Sequence, residues 1–192
     1  MPRPPHRTTG LALVLILAPL CAAGLPLTEA VRRHDARAVR ALIAGHADVN
    51  AAEADGATPL HWAVHLDARA IVEQLLTAGA RPDAANDLGI TPLSLACTNG
   101  SAGMVERLLA AGADPNRPAP VPPLLTCART GHLGAVSALL SAKADVNARE
   151  RSRGQTALMW AVAHNHAPIA GLLIARGADV HARSAVRRLL VN

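Results

Sequence analysis

Two histidines separated by one residue, His164 and His166, are the most direct candidates for metal chemistry in this 192-residue chain. Paired imidazoles can bind zinc, but a zinc site needs three or four ligands. No cysteine or acidic residue stands near the pair in sequence. We therefore interpret both histidines as structural or surface residues and expect no metal and no cofactor. A metal-binding protein that uses this pair is the alternative from a different functional class.

Cys127 and His132 raise a second possibility, a cysteine nucleophile with a histidine base five residues later. Such chemistry needs the base within hydrogen-bond reach and donors that stabilise an oxyanion. The chain contains no Gly-x-Ser-x-Gly, no phosphate-binding glycine loop and no His-Glu-x-x-His. The sequence therefore predicts no catalytic residue and a protein that is not an enzyme, with hydrolysis through Cys127 as the alternative.

A sequence block that returns about every 33 residues positions these candidates. Residues 56–63 (GATPLHWA) are echoed at 89–96 (GITPLSLA), and residues 75–80 (LLTAGA) at 108–113 (LLAAGA). A repeat of this length indicates a stacked solenoid, in which each unit buries its apolar face against its neighbours. Five units align on an opening leucine that is followed, fifteen residues later, by an aliphatic pair. The opening leucines are Leu27, Leu60, Leu93, Leu124 and Leu158, and the pairs begin at Leu42, Leu75, Leu108, Leu139 and Leu173.

The residues around each block predict an all-α fold built from helix pairs. A valine or alanine three residues before each aliphatic pair completes the i, i+3, i+4 spacing of one helix face. Thr58 and Thr91 precede proline, which suits the capped start of a first helix. Left-handed residues are expected after the helices. They are Gly79, Gly112 and Gly177 after the second helices, and His34, Asp67, Gly100, Gly131 and Asn165 between the helices.

These residues resemble the ankyrin repeat. The resemblance rests on residues 58–61 (TPLH), on Gly131-His132 and on residues 112–116 (GADPN), and it covers nearly all of residues 25–183. It implies a stack of about five helix-turn-helix repeats joined by hairpin-like fingers, with glycine at the turns where His46 and Lys143 stand. The units are expected at about 25–52, 53–85, 86–116, 117–149 and 150–183.

The resemblance also implies non-catalytic binding of another protein through the concave face and the fingertips. Trp62 and Trp160 occupy one equivalent position that is largely interior in the family, so we expect core packing, with an exposed anchor as the alternative. The positions that vary in the family fall, by register, on fifteen residues. These predicted protein-binding residues are Arg32, Arg33, Asp55, His65, Leu66, Asp87, Leu88, Ile90, Thr98, Asn99, Arg129, Thr130, Arg153, Gln155 and His164.

Cys97 and Cys127 lie on neighbouring units, at register positions that are adjacent but not identical. We expect two free thiols that behave as small buried hydrophobic groups. A disulfide between them is the alternative, and it requires Cα atoms within about 7 Å.

The finger that enters the fourth unit is two residues short, and five prolines fall within residues 115–123. Proline lacks an N–H group, so this segment is expected to pair poorly with other strands. Pro122 also replaces the capping threonine. We interpret the segment as a rigid irregular loop, with a bend that divides the binding face as the alternative.

The two ends of the chain differ from the repeats. Residues 1–24 combine basic residues, an apolar stretch and small residues in the order of a secretory signal peptide, and Pro19 interrupts a stretch too short to span a bilayer. The chain is therefore predicted to be exported, to the periplasm or the medium, as in exported bacterial ankyrin repeat proteins. Residues 184–192 are expected to form a tail or the start of an incomplete repeat, and a fragment of a longer multidomain protein stays an alternative.

Charge is distributed unevenly along the chain. Residues 25–116 hold 7 basic and 11 acidic side chains, whereas residues 117–192 hold 10 basic and 3 acidic ones. The basic half suggests a protein partner with an acidic patch. Nucleic acid is not expected, because the chain lacks tyrosine and phenylalanine and offers no stacking platform. We expect a monomer with no stable membrane insertion after signal cleavage.

Overall fold

The computed structural model describes residues 26–185, which form ten α-helices in five consecutive pairs. The predicted all-α solenoid is confirmed, whereas the predicted signal peptide and most of the 184–192 tail lie outside the described residues. Within this range no helix is long and apolar enough to cross a bilayer. The helices are α1 (Leu27–Arg32), α2 (Ala36–Ala44), α3 (Pro59–His65), α4 (Arg69–Thr77), α5 (Pro92–Asn99), α6 (Ala102–Ala110), α7 (Pro123–Thr130), α8 (Leu133–Ser141), α9 (Ala157–Ala163) and α10 (Ala167–Ala175).

The core lies between two rows of helices. The first helices of the units, α1, α3, α5, α7 and α9, pack side by side in chain order, and each also packs against the second helix of its own unit. The opening leucines Leu60 and Leu93 are at most 1% exposed. Leu75 is fully buried as well, whereas its neighbour Leu76 is only partly buried. Each buried leucine contributes about 1.5–3 kcal/mol through removal of apolar surface from water.

The ends of the helices confirm the predicted turn residues. Of the two predicted capping threonines, Thr91 accepts a hydrogen bond from the Ser94 N–H (3.2 Å), and the Thr58 hydroxyl lies 2.9 Å from His61 Nδ1. Thr156, at the same position in the last unit, accepts from the Met159 N–H (3.4 Å). Pro122, in the place of the capping threonine before α7, makes no such bond. Every predicted left-handed position has a positive φ. These positions are His34, His46, Asp67, Lys143 and Asn165, together with Gly79, Gly100, Gly112, Gly131 and Gly177.

Asparagine side chains tie successive units together beyond the second helices. The Asn50 amide donates to the Gly79 carbonyl (3.1 Å), and its oxygen accepts from the Arg81 N–H (2.8 Å). Asn116 and Asn147 make the same two bonds to the units that follow them. Because one donor and one acceptor are both used, the amide side chain suits this position better than a carboxylate.

The prediction of two free thiols is wrong. Cys97 on α5 and Cys127 on α7 form a disulfide, their Cα atoms are 4.6 Å apart, and both side chains are fully buried. Their register positions differ by one residue, and this offset places them opposite each other between neighbouring first helices. The disulfide therefore joins the third unit covalently to the fourth.

Hairpin-like fingers join the units, and most neighbouring fingers share a backbone hydrogen bond. The Asp87 N–H donates to the Asp55 carbonyl (3.0 Å), and the Arg151 N–H donates to the Pro120 carbonyl (3.2 Å). Within residues 26–185, the proline-rich finger donates no backbone hydrogen bond to the finger before it, as its missing N–H groups predict. The second, third, fourth and fifth fingers are residues 51–57, 84–90, 115–122 and 148–155.

The last unit exposes apolar positions that earlier units bury fully or in part. Val162 is 64% exposed, whereas Val64 and Ala128 at the same register position are fully buried. Ile174 on α10 is 51% exposed. In the earlier units the following repeat packs against these positions.

Candidate protein-binding groove

A groove follows the fingers and the first helices in the middle of the stack. A pocket of about 180 Å³ lies between the second and third fingers beside Trp62 and His65. A pocket of about 440 Å³ lies between the third and fourth fingers beside Arg129 and Trp160. Ile90 lines both pockets, so they form one continuous surface. The side chains that define the groove are Asp55, Trp62, His65, Leu88, Ile90, Leu95, Thr98, Val121, Arg129 and Trp160.

At the N-terminal end of the groove, Trp62 on α3 is half-buried and held by two neighbours. The Arg32 guanidinium lies over its ring, 4.0 Å from the centroid. A single carboxylate oxygen of Glu53 accepts from the indole N–H (2.9 Å) and from Arg32 (2.6 Å). The carboxylate therefore satisfies both the indole and the cation, and it holds the arginine against the aromatic face.

At the other end of the groove, Trp160 on α9 is also half-buried. Its indole N–H donates to the side-chain oxygen of Gln155 (3.0 Å). The Arg129 guanidinium lies 5.6 Å from the ring centroid, within the range of a cation–π contact. Arg129 and Arg32 occupy the same register position in their units, so the stack repeats one arginine–tryptophan arrangement at two places.

The expectation that both tryptophans pack in the core is therefore only half right. Each ring has one face against the stack and lines a pocket, with its N–H bonded to a finger side chain. The sequence held a signal for this arrangement: an arginine stands at one register position in each unit that precedes a tryptophan-containing unit. Trp62 and Trp160 are therefore groove residues that the fifteen predicted binding residues do not include.

His61 fixes the third finger against α3. Its Nδ1 accepts from the Thr58 backbone N–H (3.1 Å), so Nε2 carries the proton and donates to the Ile90 carbonyl (3.0 Å). Burial lowers the pKa of His61, although the Ile90 carbonyl and nearby Asp55 oppose the shift. The imidazole is therefore neutral at pH 7 and holds in place Ile90, which with Leu95 is shared by both pockets.

Six of the fifteen predicted binding residues line the groove. Leu88 is 71% exposed at the tip of the third finger, and Arg129 is exposed at the end of α7. The six residues are Asp55, His65, Leu88, Ile90, Thr98 and Arg129.

Two other predicted residues make bonds between units. The Asn99 amide donates to the carbonyls of Val64 and His65 (2.9 and 3.0 Å). The Thr130 hydroxyl lies 3.1 Å from the Cys97 carbonyl of the preceding unit and 3.2 Å from the Thr126 and Cys127 carbonyls of its own helix. These side chains stabilise the wall of the groove.

The remaining seven predicted residues have varied surroundings. Arg32 and Gln155 contact the two tryptophans, and Arg33 forms an ion pair with Glu29 (2.7 Å). Leu66 is partly buried against the core, and the Asp87 backbone N–H donates to the second finger. Arg153 and His164 are exposed.

The fifth finger carries a basic run, residues 149–153 (RERSR), and the single acid within it is buried. Glu150 is 5% exposed and accepts hydrogen bonds from Ser152, Arg153 and Gln155. Burial alone would raise the pKa of Glu150, but the bonds from the Ser152 hydroxyl and the three backbone N–H groups outweigh it and lower the pKa to about 2. The neighbouring Arg151 is exposed.

The residues of the alternative chemistry have structural partners. The His166 Nε2 lies 3.0 Å from the Arg129 carbonyl, and its ring stacks on that of His164 at 6.2 Å between centroids. Between residues 26 and 185, no three His, Cys, Asp or Glu side chains lie close enough to hold a metal ion. The Cys127 sulfur is bonded to Cys97 and is not a free thiol in this structure.

Comparison with known proteins agrees with the repeat architecture. The family model described as ankyrin repeats (3 copies) matches residues 27–119 and 119–184. No significant match to a curated protein is found. Because the two matched segments span most of the chain and coincide with the five helix pairs, the chain belongs to the ankyrin repeat family.

Proposed function

We propose that this protein binds a partner protein in the groove without catalysing a reaction on it. Ankyrin repeats generally mediate protein–protein interaction, and the groove supplies a suitable surface. The observation that carries the proposal is Leu88, which is 71% exposed where it lines the same pocket as Trp160 and Val121. Tryptophan and arginine often dominate the binding energy of an interface, and Leu88 adds exposed apolar surface beside Trp160 and Arg129 in a concave site.

We further propose that the partner presents an acidic surface to the C-terminal half of the stack. Residues 117–192 carry a formal charge of +7, and the acid on the fifth finger, Glu150, is buried within that finger. Arg151 and Arg153 are exposed beside it and favour approach of an acidic surface. In this proposal the protein acts as a monomer.

We propose that residues 1–24 direct export and are then removed. The disulfide between Cys97 and Cys127 supports this proposal, because disulfides persist in oxidising compartments and are rare in the cytosol. N-terminal sequencing of the protein from its native cells is expected to begin at Gly24 or Leu25. A cytosolic chain that still begins near Met1 would contradict export.

Leu88→Ala is expected to weaken partner binding roughly tenfold or more, because the substitution removes an exposed apolar anchor. The immobilised wild-type chain is used to capture a partner from an envelope and culture-medium extract of the source cells. The captured protein is then purified, and its dissociation constants for wild-type and variant chains are measured by calorimetry.

Leu133→Ala is the matched control, because Leu133 is also an exposed leucine (44%) but lies at the start of α8 and does not line the groove. It should bind as the wild type does. Equal dissociation constants for the two variants would place the interface outside the groove.

A further inference from the structure

The two arginine–tryptophan arrangements differ in one charged group. At Trp62, the Glu53 carboxylate accepts hydrogen bonds from both the indole N–H and Arg32, and the Arg32 guanidinium lies 4.0 Å from the ring centroid. At Trp160, the neutral side-chain amide of Gln155 accepts the hydrogen bond from the indole N–H. Arg129 lies farther from its ring, at 5.6 Å. The second arrangement therefore repeats the arginine and the tryptophan, but its indole acceptor stands five rather than nine residues before the tryptophan and is not a carboxylate.

No acidic side chain among residues 26–185 forms an ion pair with Arg129. The acids on the adjoining third and fifth fingers, Asp87 and Glu150, are directed elsewhere. Glu150 is occupied by hydrogen bonds within the fifth finger. Asp87 directs its carboxylate toward the second finger, where its Oδ1 would lie 2.9 Å from a Cβ built on Gly56. Arg129 is thus an exposed cation over an aromatic ring, and no side chain in the described part of the chain supplies its counter-charge.

The surroundings of Arg129 are apolar on one side and basic on the other. Leu88 and Val121 line the same pocket, which has a volume of about 440 Å³. The backbone of Arg151 is bonded to Pro120, which also lines this pocket, so the basic tip of the fifth finger adjoins it. An apolar pocket with an unpaired guanidinium at its wall favours a ligand that combines an apolar group with a carboxylate.

We infer that the pocket between the third and fourth fingers binds an acidic side chain of the partner against Arg129 and an adjacent apolar side chain between Leu88 and Trp160. The inference rests on the proposed function and names the chemistry of its partner. The recognised segment carries aspartate or glutamate next to leucine, isoleucine, methionine or phenylalanine. Its carboxylate takes the place at Arg129 that Glu53 fills at Arg32.

The test uses random heptapeptides displayed on phage and selected on the full mature chain. The displayed peptides are joined to the coat protein at their C-termini, so that only a side chain can supply the carboxylate. Selection is expected to enrich an acidic residue beside a large apolar one. A synthetic peptide of the selected sequence, amidated at its C-terminus, should bind roughly three- to tenfold more tightly than its Glu→Gln counterpart.

Two variants test the role of Arg129 directly. Arg129→Gln removes the cation, and Gln155→Glu supplies an internal carboxylate while keeping an acceptor for the Trp160 indole. Both should abolish the preference for the acidic peptide over its Glu→Gln counterpart. Arg40→Gln, with the same charge change on the exposed face of α2, should keep it.

The outcomes separate the inference from the proposed function. If Leu88→Ala weakens the selected peptides but they show no acidic preference, or Arg129→Gln leaves that preference intact, the carboxylate site is wrong and groove binding stands. If the selected peptides bind Leu88→Ala as tightly as the wild type, groove binding itself fails, and with it the inference.

Discussion

Replacing Cys97 with valine and Cys127 with alanine together is expected to lower the midpoint of thermal unfolding by roughly 10 °C. Both new side chains occur at the equivalent positions of the second unit, as Val64 and Ala63, so the packing between units changes little. What is lost is the covalent link across a sequence separation of 30 residues. For a loop of that length, the entropy of the unfolded chain accounts for about 3.5 kcal/mol.

The loss of stability is expected to be large because the disulfide joins two units whose fingers share no backbone hydrogen bond among the described residues. The fourth finger makes no backbone donation to the third among the described residues, so the junction between these units lacks a bond that other junctions have. In a stack where each unit contacts only its neighbours, one weak junction lowers the cooperativity of the whole array. The disulfide offsets that weakness.

Calorimetry in the presence and absence of dithiothreitol tests this prediction. The reductant should lower the unfolding midpoint of the wild type to that of the double variant, while the double variant should not respond. A wild type that is as stable after full reduction, verified by a count of free thiols, would show that the disulfide does not stabilise the junction.

The helix pairs and their turns could be predicted from the sequence because they depend on local, repeated signals. The spacing of aliphatic residues sets the buried face of each helix, and left-handed residues such as Asp67 and Lys143 mark the turns wherever the register requires them. The repeat itself multiplies the evidence, since each unit tests the register deduced from the others. Five weak patterns in phase therefore predict the stack well.

The disulfide was not predicted because it depends on a contact between units that the register describes only approximately. Cys97 and Cys127 occupy positions one residue apart, which on a single helix would point their side chains about 100° away from each other. Across two packed helices the same offset brings the Cα atoms to 4.6 Å. The packing geometry of α5 against α7 decides the pairing, and the sequence does not state that geometry.

The chemistry of the groove was only partly predictable for a related reason. Leu88, Ile90 and Arg129 follow from register, because they lie at fingertip or helix-end positions. Whether a tryptophan ring at the start of a first helix is covered depends on the size of the neighbouring fingers, which leave Trp62 and Trp160 half-open. The role of Glu150 could not be predicted from the sequence, because its four hydrogen-bond donors come together only once the fifth finger has turned back on itself.

Replacing Glu150 with glutamine is expected to destabilise the protein by about 2 kcal/mol at pH 7. One carboxylate oxygen accepts from Ser152 and the other accepts from the N–H groups of Arg153 and Gln155. Glutamine keeps one acceptor but turns an NH₂ group toward backbone donors, so some of them lose their partner in a buried site. Urea unfolding followed by circular dichroism measures the loss, and Glu106→Gln on the exposed face of α6 is the matched control.

The buried Glu150 carboxylate is also expected to make the stability of the protein depend on pH. The pKa of Glu150 is about 2 in the folded protein, against 4.5 for the ordinary group. Above pH 4.5 the carboxylate is charged in both the folded and the unfolded state, so its full stabilisation is present. Between pH 4.5 and about 2 the unfolded chain takes up the proton first, and the stabilisation declines as the pH falls. The stability gap between wild type and Glu150→Gln should therefore close across this range, whereas a gap that stays constant down to pH 2 would contradict the assigned role of the buried carboxylate.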